Sequence, residues 1–290
     1  MFGEDRPYDE IIYENSESYK RNLWQTSFGL QKVDRLKPSE YLVGLSEEEI
    51  KGNKTYDEIY QDLDKYYSSS NANKETEEAD KVSVRIAEWL SQPRPFQLST
   101  RRLKQIHLHL FSGINHFNYP VGKFRTVNIS KDEPVLNGRS VFYEPWNMLE
   151  AAFEIDFDEE SSKDYSGFTK EKKAKEAMSF ISNVWQIHPF REGNIRTFAV
   201  FAIDYFRDLG FDIYNTLFEE HSTFFRDALV GDNCRKEWQT SYYLDCFTEN
   251  LLLNGEHDLK SMSLNIEAKD KVTEQNKLSH PKTNNNNLER

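Results

Sequence analysis

A polar decapeptide at residues 188–197 separates two stretches in which apolar residues recur every three or four positions. Its sequence is His-Pro-Phe-Arg-Glu-Gly-Asn-Ile-Arg-Thr. The spacing on both sides predicts two buried helices. Pro189 cannot continue the first helix, and Gly193 with Asn194 can take backbone conformations that most residues avoid. The decapeptide therefore predicts a tight turn between two core helices, and Gly210 predicts the end of the second one.

The side chains of this turn suit chemistry at a phosphate group. A histidine with an ordinary pKa of about 6.5 is largely neutral at pH 7, so His188 could accept a proton. Glu192 offers the hard oxygen ligand that Mg²⁺ prefers. The first turn of the second helix adds backbone N–H groups and a positive dipole end, and Arg196 adds a guanidinium. Each of these residues alone would fit a structural role, but their combination in one loop favours catalysis.

The decapeptide resembles the signature loop of Fic domains, which reads His-Pro-Phe-x-(Asp/Glu)-Gly-Asn-Gly-Arg-x-x-Arg. Two of the family's fixed positions differ here, with Ile195 in place of the second glycine and Ala199 in place of the last arginine. The resemblance implies a mainly α fold, a Fic-like helical bundle with a β-hairpin flap over the active-site loop. The matching residues are His188, Pro189, Phe190, Glu192, Gly193, Asn194 and Arg196.

The same resemblance implies a protein adenylyltransferase. In such enzymes a Ser, Thr or Tyr hydroxyl of a target protein attacks the α-phosphate of Mg-ATP, and AMP is transferred. His188 would be the general base and Glu192 would hold Mg²⁺. Backbone N–H groups and the Asn194 side chain would cradle the phosphates, and Arg196 would hold a phosphate of the leaving group. The predicted nucleotide-binding residues are Gly193, Asn194, Ile195 and Arg196.

Residues 121–143 are rich in β-branched and aromatic residues, unlike the helical patterns around them. The Asn137-Gly138 pair within them is a strong hairpin signal, so we expect a β-hairpin resting on the helical core. In the resembling family the matching hairpin is the flap, which pins a target segment by strand pairing. A purely structural edge hairpin is the alternative. The residues predicted to dock the target are Lys123, Phe124, Arg125, Thr126 and Val127.

Ala199 keeps other interpretations open. In the resembling family the arginine at this position reaches the terminal phosphate of ATP, which alanine cannot do. The chain could use another nucleotide, or it could be a non-catalytic module that binds a nucleotide or a protein. The inhibitory motif of many Fic proteins, Ser/Thr-x-x-x-Glu-Gly/Asn, does not occur in the sequence. Regulation therefore comes from a separate inhibitory protein, or this mechanism is absent.

Composition shifts predict three segments. Residues 1–74 carry many aromatic residues, so we expect an N-terminal extension packed on the core; they include a helix over 46–66 that starts at Ser46. Residues 75–253 would form the Fic-like catalytic domain. Residues 254–290 lack aromatic residues and predict a polar, mobile tail. His107 and His109 lie two residues apart on a predicted helix, so they face different sides and favour structural or surface roles over metal binding.

Charge and hydropathy exclude several classes of function. The chain has 290 residues and a net charge of -12, without a lysine- or arginine-rich block. Sequence-independent binding of nucleic acid needs clustered cations, so it is not expected. No apolar run approaches the roughly 20 residues of a membrane helix, and no membrane association is expected. The acidic N-terminus lacks signal-peptide features and the two cysteines form no metal or disulfide pattern, so we expect a cytoplasmic protein.

Overall fold

The structure is a computed structural model that describes residues 16–262 and 264, apart from residues 71, 93, 116, 214 and 215. The mainly α fold predicted from the sequence is confirmed. None of the helices in this part of the chain is both long and apolar enough to cross a membrane. The described residues form ten α-helices: α1 (Glu17–Gln31), α2 (Glu40–Ile50), α3 (Tyr56–Ser68), α4 (Glu77–Ser91), α5 (Thr100–Phe111), α6 (Leu149–Ser161), α7 (Lys170–Ile187), α8 (Asn194–Asp208), α9 (Thr216–Asp232) and α10 (Tyr242–Leu252).

The chain divides into two compact units. The first unit holds the described residues of Met1–Pro95, His109–Asn118 and Asn215–Glu220. The second unit holds those of Phe96–Leu108, Tyr119–Tyr214 and His221–Arg290. Helices α5 and α9 each contribute residues to both units. The predictions made for residues 1–15 and for most of the C-terminal tail fall outside the described residues.

In the first unit, α1 packs against α4, and α3 packs against the same helix. Gly29 allows a close approach within this unit, because a Cβ atom there would lie 2.2 Å from Cα of Glu219. The apolar residues of α1 to α4 share one core, as their helical spacing requires. The buried members of that core are Trp24, Leu42, Leu45, Ile50, Ile59, Leu63, Tyr67, Val84 and Ala87.

The helix predicted over residues 46–66 is wrong, because two helices occupy this region. Ser39, rather than Ser46, caps α2 by accepting a hydrogen bond from Leu42 N–H at 3.1 Å. The chain then leaves the helix at Gly52, which has a φ of +77°. Thr55 begins α3 with a capping box that includes Glu58. Two good caps so close together favour two short helices over one long helix.

In the second unit, α7 packs against α6, α8 and α10. Aromatic rings join these helices: the Phe157 ring centroid lies 6.0 Å from that of Phe180 and 6.2 Å from that of Phe201. Phe180 also contacts the Tyr205 ring at 5.3 Å. Since α7 and α8 flank the decapeptide, this aromatic core fixes the two helix ends that the decapeptide connects.

The β-hairpin predicted over residues 121–143 is not found as paired strands in the described chain. One isolated antiparallel bridge joins Glu133 to Arg139. Between them lie a 3-10 turn at Pro134–Leu136 and a left-handed Asn137. The predicted turn is therefore present, but the flanking segments do not continue the ladder. Part of the reason is that Arg125 N–H donates to the carbonyl of Pro189 at 2.7 Å instead of pairing within the segment.

Candidate active site at the turn between α7 and α8

His188 ends α7 in a left-handed backbone conformation. Its φ is 51° and its ψ is 62°, and its N–H donates to the carbonyl of Trp185 at 3.1 Å. A non-glycine residue in this region carries a backbone cost of about 1 kcal/mol or more. Pro189 follows at once and prevents a further helical turn. The imidazole is therefore held at a sharp helix end by the backbone on both sides.

Asn194 closes the turn on itself. Its side-chain oxygen accepts from Phe190 N–H, and its side-chain nitrogen donates to the carbonyl of Phe190, both at 2.9 Å. Gly193 precedes it with a φ of 75°, which favours glycine. The side-chain amide of Asn194 is thus engaged within the loop. The anion-binding role predicted for this residue stays a prediction, which its backbone N–H group would have to fill.

The first turn of α8 offers backbone donors. Helical N–H groups at positions 194 and 195 have no acceptor within the helix, and the Gly193 N-cap has no side chain to satisfy them. Arg196 lies in the same turn and is 1% exposed. Ile195 is 6% exposed and Ala199 is fully buried. The helix start can therefore attract an anion, while position 199 presents neither charge nor exposed surface.

His107 of α5 holds both the loop and the start of the 121–143 segment. Its Nε2 lies 3.1 Å from the carbonyl oxygen of Glu192, and its Nδ1 accepts from Gly122 N–H at 2.9 Å. These partners require a neutral ring that donates from Nε2. Burial lowers the pKa of His107 to about 4, which keeps the ring in that form. Its ring also stacks on that of Phe190, with centroids 3.9 Å apart. The predicted structural role of this histidine is consistent with these contacts.

The guanidinium of Arg125 also joins the 121–143 segment to the signature loop. The residue is 3% exposed. Its acceptors are the carbonyl oxygens of His188 (2.9 Å from Nε), Val127 (2.8 Å from Nη1), Ile187 (3.3 Å from Nη2) and Glu144 (from Nη2). The guanidinium thereby satisfies carbonyls that the end of α7 leaves without helical donors.

The other residues predicted to dock a target have mixed placements. Lys123, Thr126 and Val127 are exposed. Phe124 packs inward, with its ring centroid 5.4 Å from that of Phe153 and 5.5 Å from that of Phe190. The structure therefore brings Phe124 and Arg125 to the signature loop and leaves the other three side chains at the surface.

His188 lies under the end of the 121–143 segment. The Tyr143 ring stacks on the imidazole with centroids 4.2 Å apart, and the Tyr143 hydroxyl donates to Glu133 at 3.2 Å. Burial is the main cause that lowers the pKa of His188 to about 3, followed by the charges of Lys131 and Arg125. The residue is 8% exposed. At neutral pH the imidazole is therefore uncharged, and burial makes it a weaker base than a free imidazole.

The comparisons with known proteins agree with this loop. Residues 97–206 match the profile of the Fic/DOC family, and this range includes α5, the 121–143 segment and the α7–α8 turn. Over this range the chain is similar to the Fic/DOC family. None of the curated proteins compared with the chain matches it.

Three solved structures resemble the chain at low identity. The BepC protein of Bartonella tribocorum, a VirB-translocated effector solved with bound AMPPNP, is 13% identical over 75% of this chain and 92% of its own, with a TM-score of 0.48. The N-terminal FIC domain of Bep8 from Bartonella sp. 1-1C is 17% identical over 73% of this chain and 90% of its own, with a TM-score of 0.46. The type IV secretion system effector BepA is 17% identical over 77% of this chain and 71% of its own, with a TM-score of 0.49.

Binding of magnesium by the signature loop would depend on one side chain. Glu192 is half-buried, and its Oε1 accepts from Gly193 N–H at 3.2 Å. No group of three or more His, Cys, Asp or Glu side chains that could hold a metal ion is present in the described part of the chain. Mg²⁺ on nucleotides is commonly held by one or two carboxylates, with phosphate oxygens and water completing its shell. A single carboxylate therefore fits a nucleotide-bound magnesium ion but not a dedicated metal site.

Sequence reasoning missed two contacts at this site. Arg125 was expected at the target, yet its side chain holds the loop, and Tyr143 was not expected over His188. The Arg125–His188 contact spans 63 residues of chain and ends on a backbone carbonyl. Such a contact leaves no periodic pattern in the sequence.

Proposed function

We propose that this chain transfers AMP from Mg-ATP to a hydroxyl side chain of a target protein. The observation that carries the proposal is the placement of a neutral, buried His188 at the end of α7, directly before the uncapped N-terminus of α8. A proton acceptor and an anion-binding helix end then lie within one turn. The Fic/DOC-family match over the same residues supports this reaction class.

In the proposed reaction, His188 accepts the proton of the target hydroxyl as that oxygen bonds to the α-phosphorus of ATP. The bond between the α-phosphorus and the bridging oxygen breaks, and pyrophosphate leaves. The lowered pKa of His188 keeps the imidazole unprotonated before the reaction. Asn194, through its two bonds to Phe190, holds the turn in shape during this step.

The remaining loop residues have electrostatic roles in the proposal. The Asn194 and Ile195 N–H groups at the start of α8 would bind phosphate oxygens, and Gly193 N–H would join them once Glu192 releases it to hold Mg²⁺. The Arg196 guanidinium would hold a phosphate of the leaving group. Glu192 would hold Mg²⁺, which supplies charge neutralisation at the phosphates when it is bound. Fixed donors of this kind stabilise the charge that develops in phosphoryl-type transfer.

A second candidate is a non-catalytic module that binds a nucleotide, or a transferase that uses another nucleotide. Ala199 favours it, because this position is fully buried and has no group to contact a terminal phosphate. The triphosphate tail of ATP would then have one partner fewer than in Fic proteins with arginine at this position. A nucleotide with a different leaving group would not need that partner.

The test is a transfer assay with the full chain, Mg²⁺ and each α-labelled nucleoside triphosphate, in a cell lysate as the source of targets. His188→Ala and Glu192→Ala would report on the base and the metal ligand. Arg191→Ala is the matched control, since Arg191 lies in the same loop but is exposed. Calorimetry with the same nucleotides would report binding separately from transfer.

Label that appears on a protein with wild type and Arg191→Ala, and is lost with His188→Ala, would support transfer and identify the nucleotide. Binding without any transfer would favour the non-catalytic module. If His188→Ala transferred label as well as wild type, the proposed base would be wrong.

A further inference from the structure

A groove lies between α6 and the C-terminal part of α7, within the second unit. Its volume is about 390 Å³, and it is open to solvent. Ala151, Ala152 and Ile155 line it from α6, and Gln186 and Ile187 line it from α7. Ile187 directly precedes His188 in the chain. None of the roles proposed for the Fic loop uses this groove.

The groove exposes apolar side chains that a lone domain would normally cover. Ile155 is 66% exposed, and Met148, which also lines the groove, is 46% exposed. Trp146, two residues before Met148, is likewise 46% exposed. The two alanines are small and leave room between the helices. A cluster of exposed large apolar side chains around a groove is typical of an interaction site.

The rim of the groove is acidic. Glu144 and Asp156 line it, whereas its described lining includes no lysine or arginine. The pKa of Asp156 is raised, first by burial and then by the charges of Glu159 and Glu144. These carboxylates therefore repel one another, and a cation placed among them would relieve that repulsion. The charge of the groove is complementary to a positively charged ligand.

This charge argues against several occupants. Nucleic acid and anionic membrane surfaces would be repelled by the rim. A second copy in a symmetric interface would bring two acidic rims together, and each copy has a net charge of -12. The segment at residues 1–15 contains apolar residues, but it has five acidic residues against one arginine. A small anionic ligand such as a nucleotide is disfavoured for the same reason.

We propose that the groove binds a basic amphipathic segment of a partner protein. Apolar side chains of that segment would sit over Ala151 and Ala152 against Ile155 and Met148, and its lysines or arginines would face Asp156. This is the helix-in-groove mode of recognition, in which the acidic rim would select a positively charged partner. The binding does not require transfer activity, so it can be tested whether or not the proposed function holds.

The probe is a labelled helical peptide with leucines at positions i, i+3, i+4 and i+7 and lysines elsewhere. A second peptide keeps the leucines and replaces each lysine with glutamate. Fluorescence anisotropy would give the dissociation constant of each peptide for the full chain and for variants. Ile155→Ser removes the largest exposed apolar contact, and Asp156→Lys reverses the rim charge.

Two matched controls lie outside the groove. Glu154→Gln removes a carboxylate from the same helix, and Val43→Ser removes another exposed aliphatic side chain, 37% exposed, in the first unit. Circular dichroism would verify that every variant is folded. His188→Ala would be measured in parallel, and we expect it to bind the peptide like wild type.

We expect the lysine peptide to bind and the glutamate peptide not to bind. Ile155→Ser should weaken binding by about tenfold, the effect of losing roughly one buried aliphatic contact. Asp156→Lys should weaken it by a similar factor, and the two controls should stay within about twofold. Equal binding by wild type and Ile155→Ser, or no binding of the lysine peptide, would overturn the proposal.

Two further measurements distinguish other occupants. A synthetic peptide of residues 265–290, which has four lysines and one arginine, should bind more weakly than the lysine peptide because it also has four acidic residues. If it bound as tightly and with the same dependence on Ile155, the occupant would be this chain's own C-terminal segment. Sedimentation that showed a dimer abolished by Ile155→Ser would make the groove a self-association surface. Either result would overturn the proposal that a segment of a partner protein occupies the groove.

Discussion

The signature loop and the α6–α7 groove are neighbours in the same unit, but their side chains are used in opposite ways. In the loop, His188, Arg196 and Ala199 are nearly or fully buried, and two long-range side chains bond to its backbone. In the groove, Ile155 and Met148 are exposed, and the acidic rim has no lysine or arginine among its described lining residues. One region is fixed by many internal bonds, whereas the other leaves large apolar side chains exposed to solvent.

Under the two proposals above, this unit combines fixed catalytic groups in the loop with recognition of a partner in the groove. Catalytic groups need to be held close to a productive geometry, which buried backbone-directed hydrogen bonds provide. A docking groove gains more from exposed apolar surface and unbalanced charge, because both become favourable only when a partner arrives. Substitutions in the loop should therefore reduce stability, while equivalent substitutions in the groove should mainly affect binding.

The largest effect should come from Arg125→Ala. Truncation would remove this donor from the carbonyls of Val127, Glu144, Ile187 and His188, at a residue that is 3% exposed in wild type. We expect the free energy of unfolding to fall by about 3–5 kcal/mol, because several buried carbonyl oxygens would lose a charged donor at a cost of about 1–3 kcal/mol each. Urea unfolding would measure it. Arg191→Ala, in the same loop but exposed, should change it by less than about 0.5 kcal/mol. Equal losses in both variants would show that Arg125 does not hold the loop.

Replacing one alanine in each region with arginine compares the loop and the groove more directly. Ala199→Arg introduces the residue that Fic proteins commonly have, but at a fully buried position. We expect a loss of about 3 kcal/mol from overpacking and from burial of an unpaired charge. Ala151→Arg places the same side chain in the exposed groove and should cost less than about 0.5 kcal/mol. Thermal unfolding of both proteins would compare them, and a stable Ala199→Arg protein would mean that this position can open toward a phosphate.

Acidification should affect the two regions with opposite sign. The pKa of His188 is about 3 in the folded chain, against about 6.5 when unfolded, so between these values the unfolded state binds the extra proton. Stability is therefore lost as the pH falls below about 6.5, by about 2 kcal/mol between pH 7 and pH 5 for this group. The pKa of Asp156 is raised, so the folded state takes up a proton there first and the groove gains stability on acidification.

Urea unfolding at several pH values would measure this dependence. His188→Asn is the informative variant, because asparagine tolerates the left-handed backbone and does not titrate. We expect it to lose less stability than wild type between pH 7 and pH 5. An unchanged slope would mean that His188 is not held neutral by burial.

The smallest effect on stability should come from Ile155→Ser. This side chain is 66% exposed, so its removal should change the free energy of unfolding by less than about 0.5 kcal/mol. Chemical denaturation would test this, beside Phe153→Ala on the same helix as a buried control that should lose about 3–5 kcal/mol. A large loss from Ile155→Ser would mean that Ile155 is part of the core rather than of a docking surface.

The sequence predicted those features that depend on local pattern. The two helices around the decapeptide follow from apolar spacing, and α8 ends at Asp208, close to the predicted stop at Gly210. The left-handed Gly193 was expected from its residue type. The helix boundary between α2 and α3 was missed, because the acidic run after Ser46 looked like a helix start although it lies inside α2.

Features that depend on distant contacts could not be read from the sequence. The 121–143 segment has the composition of a hairpin, yet its backbone bonds partly to the turn after α7, so the ladder does not form. The inward-facing Arg125 and the Tyr143 ring over His188 likewise depend on residues more than forty positions away. Propensity describes a segment by itself, whereas these residues are placed by the surface against which the segment packs.

Arg125 also constrains how this domain can move. Its main-chain N–H bonds to Pro189 and its guanidinium bonds to the carbonyls of Ile187 and His188, so residue 125 and the end of α7 travel as one piece. The same guanidinium bonds to the carbonyl of Glu144, and Gln186 of α7 donates to the carbonyl of Phe142 at 3.1 Å, so Tyr143 lies between two anchored positions. The segment is thus fastened to the end of α7 at both of its ends. A motion that uncovers His188 must break at least one of these sets of hydrogen bonds.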